Sequence, residues 1–438
     1  MISKYGLNLK LTTFFFLALL LAPSLLSAAQ LETVTNTNDA GGGSLRQAIA
    51  DVDTGGEIVF DIPGAGPHTI LIASSLEIDK ALTITGPGAD LLTITSGAGA
   101  SPVIIAGDML AALLQVVISD LTVDGGTTAF PGIYNMENLT LNNIVVTRCQ
   151  TGIINSGQLS EFAQSPKVIV NNTTISGNTV GIFNSGGNVM GSIGGIVEVN
   201  NSSITENVAG SSTEGDGIVN QGGNVQGATG GTVVIRNSTI SNNAGTAVFA
   251  LGGEVAGSTG SITQISSSSI SGNKFALIML PVPGQLDASP VVEVKNSILA
   301  NSTGSNCFLN GLMLTSLGVN IGTDDTCPGI IAVTPAELNL GVLRNNGGPT
   351  QTQALIPLSA AMDIVDDCTF IDGSRVFEDQ RGFLRPEFNC DAGAYEFGAV
   401  PPAGASKVPT LSEWGILLTV MLLGIAAVLY FNRNKKLT

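Results

Sequence analysis

Histidine, charge and aromatic rings are all scarce in this 438-residue chain: one histidine, 12% charged residues and 5% aromatics, with a single tryptophan. His68 alone excludes multi-histidine metal sites, and any Ser-His-Asp or Cys-His mechanism would have to run through it. Seventeen Lys and Arg against 34 Asp and Glu leave a net charge of −17. That balance argues against nucleic acid, because phosphate binding needs a clustered basic surface. Few charges and few rings also do not suit a helical enzyme. What the chain does hold is 55 glycines, 44% hydrophobic residues, and abundant Asn, Ser and Thr. This is the composition of short β-strands joined by tight turns, in a chain long enough to bury a large core.

The two ends read as addresses. Residues 1–29 have the form of a secretory signal peptide: Lys4 and Lys10, an apolar stretch from Leu11 to Leu26, then Ser27-Ala28-Ala29 before Gln30. An uncleaved N-terminal anchor is the alternative. Removing residues 1–29 takes away two lysines and no acids, so the mature chain moves from −17 to −19. At the other end, Val408-Pro409-Thr410-Leu411-Ser412-Glu413-Trp414-Gly415 precedes the uncharged run Ile416–Phe431 and a basic tail with Arg433, Lys435 and Lys436. The span 414–431 is just long enough to cross a bilayer, and Trp414 and Tyr430 sit where interfacial aromatics belong. Motif, span and basic end in this order resemble the IPTL-CTERM protein-sorting signal of Gram-negative bacteria. The resemblance implies that Val408–Leu411 is a processing signal handled by an exosortase-like enzyme. A plain single-span anchor is the competing reading. Either way the body is expected to be exported: tethered to the inner membrane with its body periplasmic, then at the cell surface or outside it after sorting.

The middle is one repeated unit. Asn143, Asn172, Asn201, Asn237, Ser267 and Asn296 form a column with spacings of 29, 29, 36, 30 and 29. Three residues on stand Val146, Ile175, Ile204, Ile240 and Ile270, with Ile298 one place early. Six residues on stand Cys149, Asn178, Asn207, Asn243 and Asn273, with Asn301 in a shifted last repeat. A further aliphatic column reads Ile153, Ile182, Ile218, Ala247 and Leu277. Aliphatics at fixed columns and Asn at turns predict a solenoid with three short strands per coil. Asn tolerates left-handed turns, and stacked amides can bond from coil to coil. The fold expected is therefore all-β, a single-stranded right-handed parallel β-helix of roughly 29-residue coils, the handedness following the crossover rule. An N-terminal capping helix and a C-terminal transmembrane helix complete it. The one long spacing places seven extra residues within Val208–Asp216, a surface bulge or a binding loop.

Both caps carry a resemblance. Gly43-Ser44-Leu45-Arg46-Gln47-Ala48-Ile49 is similar to the opening of bacterial pectin-lyase-like β-helix proteins, with Gly43 where that family carries Cys and Gln47 where it carries Glu. Ser44 is a plausible N-cap, and Leu45, Ala48, Ile49 and Val52 make one apolar face able to plug the open end. Asn345-Asn346-Gly347-Gly348-Pro349-Thr350, Asp379-Gln380-Arg381-Gly382 and Cys390-Asp391-Ala392-Gly393-Ala394-Tyr395 resemble the choice-of-anchor Q region of surface-anchored β-helix proteins. The expected organisation is signal peptide 1–29, N-terminal cap 30–60, β-helix 61–335, choice-of-anchor Q-like segment 336–398, linker 399–407 and sorting signal 408–438.

Five cysteines in an exported chain permit disulfides. Proximity favours Cys307–Cys327 and Cys368–Cys390, each worth up to about 3 kcal/mol. Cys149 is left over in an Asn column, a structural position rather than a nucleophile. His68 reads as a turn residue, and Arg381 and Arg385 as partners of local carboxylates. Among the acids of the repeat region (Asp120, Asp124, Glu198, Glu206, Glu214, Asp216, Glu254 and Glu293), Asp120 and Asp124 come nearest to a catalytic pair. They lie four apart, which on a strand points both the same way, although the turn at Gly125-Gly126 weakens that inference. No acid–base cluster recurs on one face. Calcium at Asp324-Asp325 or among Asp363, Asp366, Asp367 and Asp372 is unspecific, so no metal or cofactor is assigned. The expected function is an envelope-anchored β-helix with an adhesive, carbohydrate-binding or structural role, its partners a sorting enzyme, the membrane and extracellular polysaccharide. A polysaccharide lyase or glycoside hydrolase on the same scaffold is the alternative.

Overall fold

The computed structural model describes residues 30–97, 101–105, 113–126, 130–157, 165–208, 215–284 and 288–402. The signal peptide, most of the Val208–Asp216 insert, the sorting motif and the span 414–431 lie outside the described residues. No helix among those described is long and apolar enough to cross a membrane.

Three parallel sheets form the solenoid. One coil shows the plan: Asn138–Asn142 lies in the first sheet, Val145–Thr147 in the second and Thr151–Asn155 in the third. The chain then returns to the first sheet at Lys167–Asn171, one rung further on. Among the described residues the first and second sheets each have eleven strands and the third has nine. Alternation turns one side chain in two toward the axis. Val170, Val199, Ile235 and Val294 from the first sheet are fully buried there. Ile175, Ile204 and Ile240 from the second, and Ile153, Ile182 and Ile218 from the third, join them in one core. Each such side chain contributes roughly 1.5–3 kcal/mol, and each coil completes the burial of its neighbours.

Tight turns link the first sheet to the second. Asn143, Asn172, Asn201, Asn237, Ser267 and Asn296 stand there with φ between 47° and 54°. Asn is the side chain other than Gly that takes this left-handed conformation most readily. Asn178, Asn207, Asn243 and Asn273 have a different task between the second and third sheets. They are buried, and each amide bonds the next: Asn207 Nδ2 donates to Asn243 Oδ1 at 2.8 Å, and Asn243 Nδ2 to Asn273 Oδ1 at 2.9 Å. The backbone N–H of Cys149 donates to Asn178 Oδ1 at 3.0 Å, so Cys149 occupies one rung of this ladder. A second buried ladder, Asn135, Asn155, Asn184 and Asn220, runs along the end of the third sheet, with Nδ2 to Oδ1 distances of 2.9–3.0 Å.

Register corrects two columns of the repeat alignment. Ile270 pairs with Leu299, not Ile298, so the last coil is not shifted. Asn301 accordingly sits in the left-handed position of Gly272, not in the buried amide column of Asn273. In the third sheet Ile218 pairs with Val248 rather than Ala247, because Val248 stands five residues after Asn243 where Leu277 stands four after Asn273. The equivalence Gly217–Ala247 is real, but it belongs to the neighbouring position, where a Cβ on Gly217 would lie 2.6 Å from the Ala247 carbonyl oxygen.

At the N-terminal end, helix Leu45–Asp51 is capped by Ser44, whose side chain accepts the N–H of Gln47. Leu45, Ala48, Ile49 and Val52 are buried in the solenoid core cluster. Lys80 Nζ donates to the carbonyls of Ala50 and Val52 at 3.0 and 3.1 Å, closing the helix's C-terminus. Residues 30–60 hold more than a cap: strands Leu31–Val34 and Gly56–Phe60 are the first two rungs of the first sheet, joined across the helix.

Beyond the last rung, the segment from Thr334 folds back. Helix Pro335–Leu338 carries a capping box between Thr334 and Glu337, and strands Leu340–Arg344 and Thr352–Leu355 form an antiparallel hairpin. A second core joins Leu338, Leu355, Val365, Cys368 and Cys390 to Ile298, Ala300 and Ile321 of the solenoid. Disulfides join Cys307 to Cys327 and Cys368 to Cys390.

Candidate functional site

The three sheets expose three outer faces, and their fates differ. On the second sheet, Ser203, Thr239, Ser241, Ser269 and Ser271 point away from the core yet are at most 1% exposed. The C-terminal segment covers them. Gln380 is its central clip: Nε2 donates to the Ser202 carbonyl and to Ser203 Oγ, while Thr239 Oγ1 donates to Gln380 Oε1 at 2.6 Å. The N–H of Ala394 donates to Ser269 Oγ and that of Gly393 to the Asn296 carbonyl. At the sheet's margin Lys295 pairs with Asp367 at 2.8 Å and Arg236 with Asp372 at 3.0 Å. Hydrogen bonding to Lys295 holds the Asp367 carboxyl below its ordinary range, and the Ser374 hydroxyl does the same for Asp372.

The clip is held from behind by a buried ion cluster. Arg381 pairs with the fully buried Asp379 at 2.6 Å, and its guanidinium lies between the rings of Phe383 and Tyr395, at 4.3 and 3.7 Å from their centroids. Arg385 pairs with Glu396 at 2.8 Å. Burial lifts the Glu396 carboxyl to about 7 against the pull of Arg385, and burial also raises Asp391. The oxygens of Asp363, Asp391 and Glu396 lie within 4.8 Å of one another. Two of the three are already used: Asp391 accepts the N–H groups of Asp363 and Phe397, and Glu396 accepts from Arg385 and the Asp391 N–H. Calcium asks for six to eight oxygens, so this set is a poor cage. Asp324 likewise accepts from Asn306 N and Thr326.

Asp120 and Asp124 do not share a strand. Asp120 occupies the left-handed turn after Gln115–Ser119, with φ 57°, and Asp124 ends the next strand, Thr122–Asp124. Asp124 is 4% exposed and takes both Nε and an NH2 of Arg148. That interaction raises the Arg148 guanidinium, and burial pushes the neighbouring Cys149 thiol to about 12. A thiol held neutral is not a nucleophile. His68 is the first residue of strand His68–Ile72, its N–H donating to the Leu91 carbonyl. A cleft of about 560 Å³ beside the N-terminal helix is lined by Arg46, Glu77, Asp79 and Lys80. Its two cations are engaged by structural carbonyls, Arg46 by those of Ser74 and Ser75, Lys80 by those of Ala50 and Val52.

The outer face of the third sheet is the one that the described chain leaves apolar. Register aligns Glu77, on the first rung, with Ile104, Tyr134, Ile154, Phe183, Val219, Phe249, Ile278 and Phe308 in one column, apolar from Ile104 onward. From Tyr134 to Ile278 all are half-buried between core-facing neighbours, and Phe308 is 47% exposed. Sequence reasoning did not single this column out. Its signal lay one residue beyond the aliphatic column Ile153, Ile182 and Ile218, where large apolar residues recur although the strand has turned outward.

Comparison with known proteins adds the following. Residues 408–433 match the IPTL-CTERM motif, a sorting signal recognised by an exosortase-type enzyme that marks an exported, membrane-anchored protein sorted to the cell surface. No curated protein matches the sequence significantly. Among solved structures, the chain is similar to the pectate lyase Pel9A at 13% identity and TM-score 0.45, covering 84% of this chain and 97% of that one. It is also similar to an alginate lyase from Paenibacillus sp. str. FPU-7, at 14% identity and TM-score 0.36, covering 66% of this chain and 99% of that one. The A-module of an Azotobacter vinelandii mannuronan C-5 epimerase, AlgE6, is similar at 14% identity and TM-score 0.35, covering 69% and 96%. At such scores these likenesses carry nothing about activity.

Proposed function

We propose that this is an envelope-tethered β-helix whose solenoid serves as an adhesive, carbohydrate-binding surface. In this reading residues 1–29 direct export and are removed, residues 414–431 span the inner membrane, and an exosortase-like enzyme acts near Val408–Leu411. The body starts in the periplasm and ends at the cell surface. Segment 336–398 is then a choice-of-anchor Q-type module. The observation that carries the reading is the sorting motif at 408–433, combined with a solenoid that extends over nine or more rungs per sheet. The test is fractionation with external protease. The solenoid should be in the envelope fraction and cleaved on intact cells, and a mature protein recovered from the cytosol would refute the proposal.

The competing reading, a polysaccharide lyase or glycoside hydrolase, would need carboxylates and a base converging on one face. Asp124 is instead committed to Arg148, and Asp120 lies in the preceding turn. Turnover of uronate or neutral polysaccharides that disappears in Asp124→Asn would favour the enzyme.

A further inference from the structure

The third-sheet column has a period that its composition alone does not reveal. Numbering rungs from Ile104, rings stand at Tyr134, Phe183, Phe249 and Phe308, and aliphatics at Ile154, Val219 and Ile278. Every second rung carries a ring, four times in succession. Parallel rungs are about 4.8 Å apart, so the rings recur at roughly 9.6 Å along the axis.

A core-packing requirement does not produce this alternation, because these positions face outward. The inward neighbours Ile153, Ile182, Ile218 and Val248 show no such period. An extended β-1,4-linked pyranose chain does match it. One sugar of such a chain is about as long as one rung, and successive sugars turn over, so the same C–H face recurs at every second sugar. The weakly positive C–H groups of that face suit the negative face of an aromatic ring. The intervening aliphatics meet the alternate sugars. Two residues further along the chain the flank is polar on the Phe183 and Val219 rungs, where Ser185 accepts from Asn188 Nδ2 at 3.1 Å and Gln221 Nε2 donates to Glu254 Oε1 at 3.0 Å, and apolar on the next two, at Leu251 and Leu280. An apolar floor with a few amides and hydroxyls at its side is the usual composition of a carbohydrate or small-molecule site.

Charge selects the class of glycan. Beyond Glu77, an exposed carboxylate on its first rung, the column from Ile104 to Phe308 contains no charged residue, and the chain as a whole is at −17. A uronate polymer would find repulsion and no cation ladder. We therefore propose that the third sheet's outer face is a linear binding track for a neutral, extended β-linked polysaccharide, laid along the solenoid axis with sugars in step with the rungs. This rests on the carbohydrate-binding part of the proposed function and sharpens it to a glycan class.

The test is calorimetric titration of the full-length chain in mild detergent, with cellohexaose as the neutral probe and hexagalacturonate as the anionic one. Binding of cellohexaose should weaken about tenfold or more in the double variant F183A/F249A, two stacking contacts being worth about the 1.4 kcal/mol of one decade. A second variant, V219F/F249V, keeps the number of rings and breaks their period. It should lose affinity similarly while retaining the parent melting temperature, and it decides the matter if the alanine variant unfolds. Cellohexaose binding unaffected by the period-breaking variant overturns the proposal, as does tighter binding of hexagalacturonate. No binding of either probe also overturns it, and it leaves the surface-protein reading standing if the fractionation result holds.

Discussion

The outer faces of the second and third sheets differ in one respect that the fold itself does not require. Both belong to the same coils and both alternate with the same buried core. The second sheet presents Ser203, Thr239, Ser241, Ser269 and Ser271, small hydroxyls at most 1% exposed. The third presents Tyr134, Phe183, Phe249 and Phe308 with aliphatics between them. Small hydroxyls let a second backbone approach and offer it hydrogen bonds, which is what Gln380, Gly393 and Ala394 accept and provide. Large apolar groups keep another backbone at a distance and offer area instead. The chain covers the first kind of face with its own C-terminal segment and leaves the second kind for a ligand.

If the cover depends on the buried clip, breaking the clip should have the largest effect. Arg381→Leu leaves Asp379 buried without its cation, a loss of about 3–5 kcal/mol. The C-terminal segment should detach while the solenoid persists. Limited proteolysis should then release a fragment ending near Val333, with the far-ultraviolet spectrum largely kept. Equal loss of both parts would mean that the two faces are not independent. Two glycines guard the same contact. A Cβ on Gly393 would lie 2.7 Å from Ser269 Oγ, and one on Gly348 2.5 Å from the Arg381 Cα, both at positive φ. Either Ala substitution should give a milder version of the same release.

The cover should also respond to pH, and the exposed third-sheet face should not. The folded Glu396 holds its proton up to about 7, against an ordinary 4.5. Folding therefore takes up a proton between those values, so this contribution is complete below about 4.5 and is lost as pH rises through about 7. Arg385 offsets part of it, leaving at most about 3 kcal/mol. The melting temperature of the C-terminal segment should fall as pH is raised across this window, and Glu396→Gln should flatten that slope. A slope that survives the substitution would assign the titration to another group, Asp391 being the nearest with a raised carboxyl.

How much of this could be read in advance differs column by column. The Asn143 column is legible because a left-handed turn needs a particular residue type, and such a need repeats visibly. The aliphatic columns are legible for the same reason, apart from Leu299 and Val248, where an adjacent Ile or Ala imitated the register. In Asp379-Gln380-Arg381-Gly382 the pairing of Arg381 with a local carboxylate was legible, but the role of Gln380 was not. Its partners Ser203 and Thr239 are 177 and 141 residues away, and nothing local marks a glutamine as a clip. The same distance hid the purpose of Arg236 and Lys295, which face the covering segment. The ring column escaped notice because half-buried outward positions look like ordinary strand alternation until register shows which rings share a line.

The Asn columns of Asn143 and Asn178 allow a finer test of what is coil and what is turn. Asn207→Leu removes the acceptor for the buried N–H of Asn178 and the donor to Asn243, at a cost of about 2 kcal/mol. Asn172→Gly, at a half-buried position with φ 50°, should be nearly neutral, whereas Asn172→Val should cost about 1–2 kcal/mol. Denaturant midpoints measure both. A loss at Asn172→Gly as large as at Asn207→Leu would mean that the turn amide, not its conformation, carries the ladder.

The smallest effect is expected where the proposed function is strongest. Phe183→Ala and Phe249→Ala each remove a ring that is only half-buried, so unfolding should be easier by about 1 kcal/mol or less. The same amount of ring taken from the covered side, as in Phe383→Ala, should cost more, since that ring packs on the Arg381 guanidinium inside the ion cluster. Comparing the three by thermal melting separates rings that hold the fold from rings that wait for a ligand. A third-sheet ring as costly as Phe383 would mean that the track is part of the protein's own packing, and the distinction between the two faces would then fail on the very residues that define it.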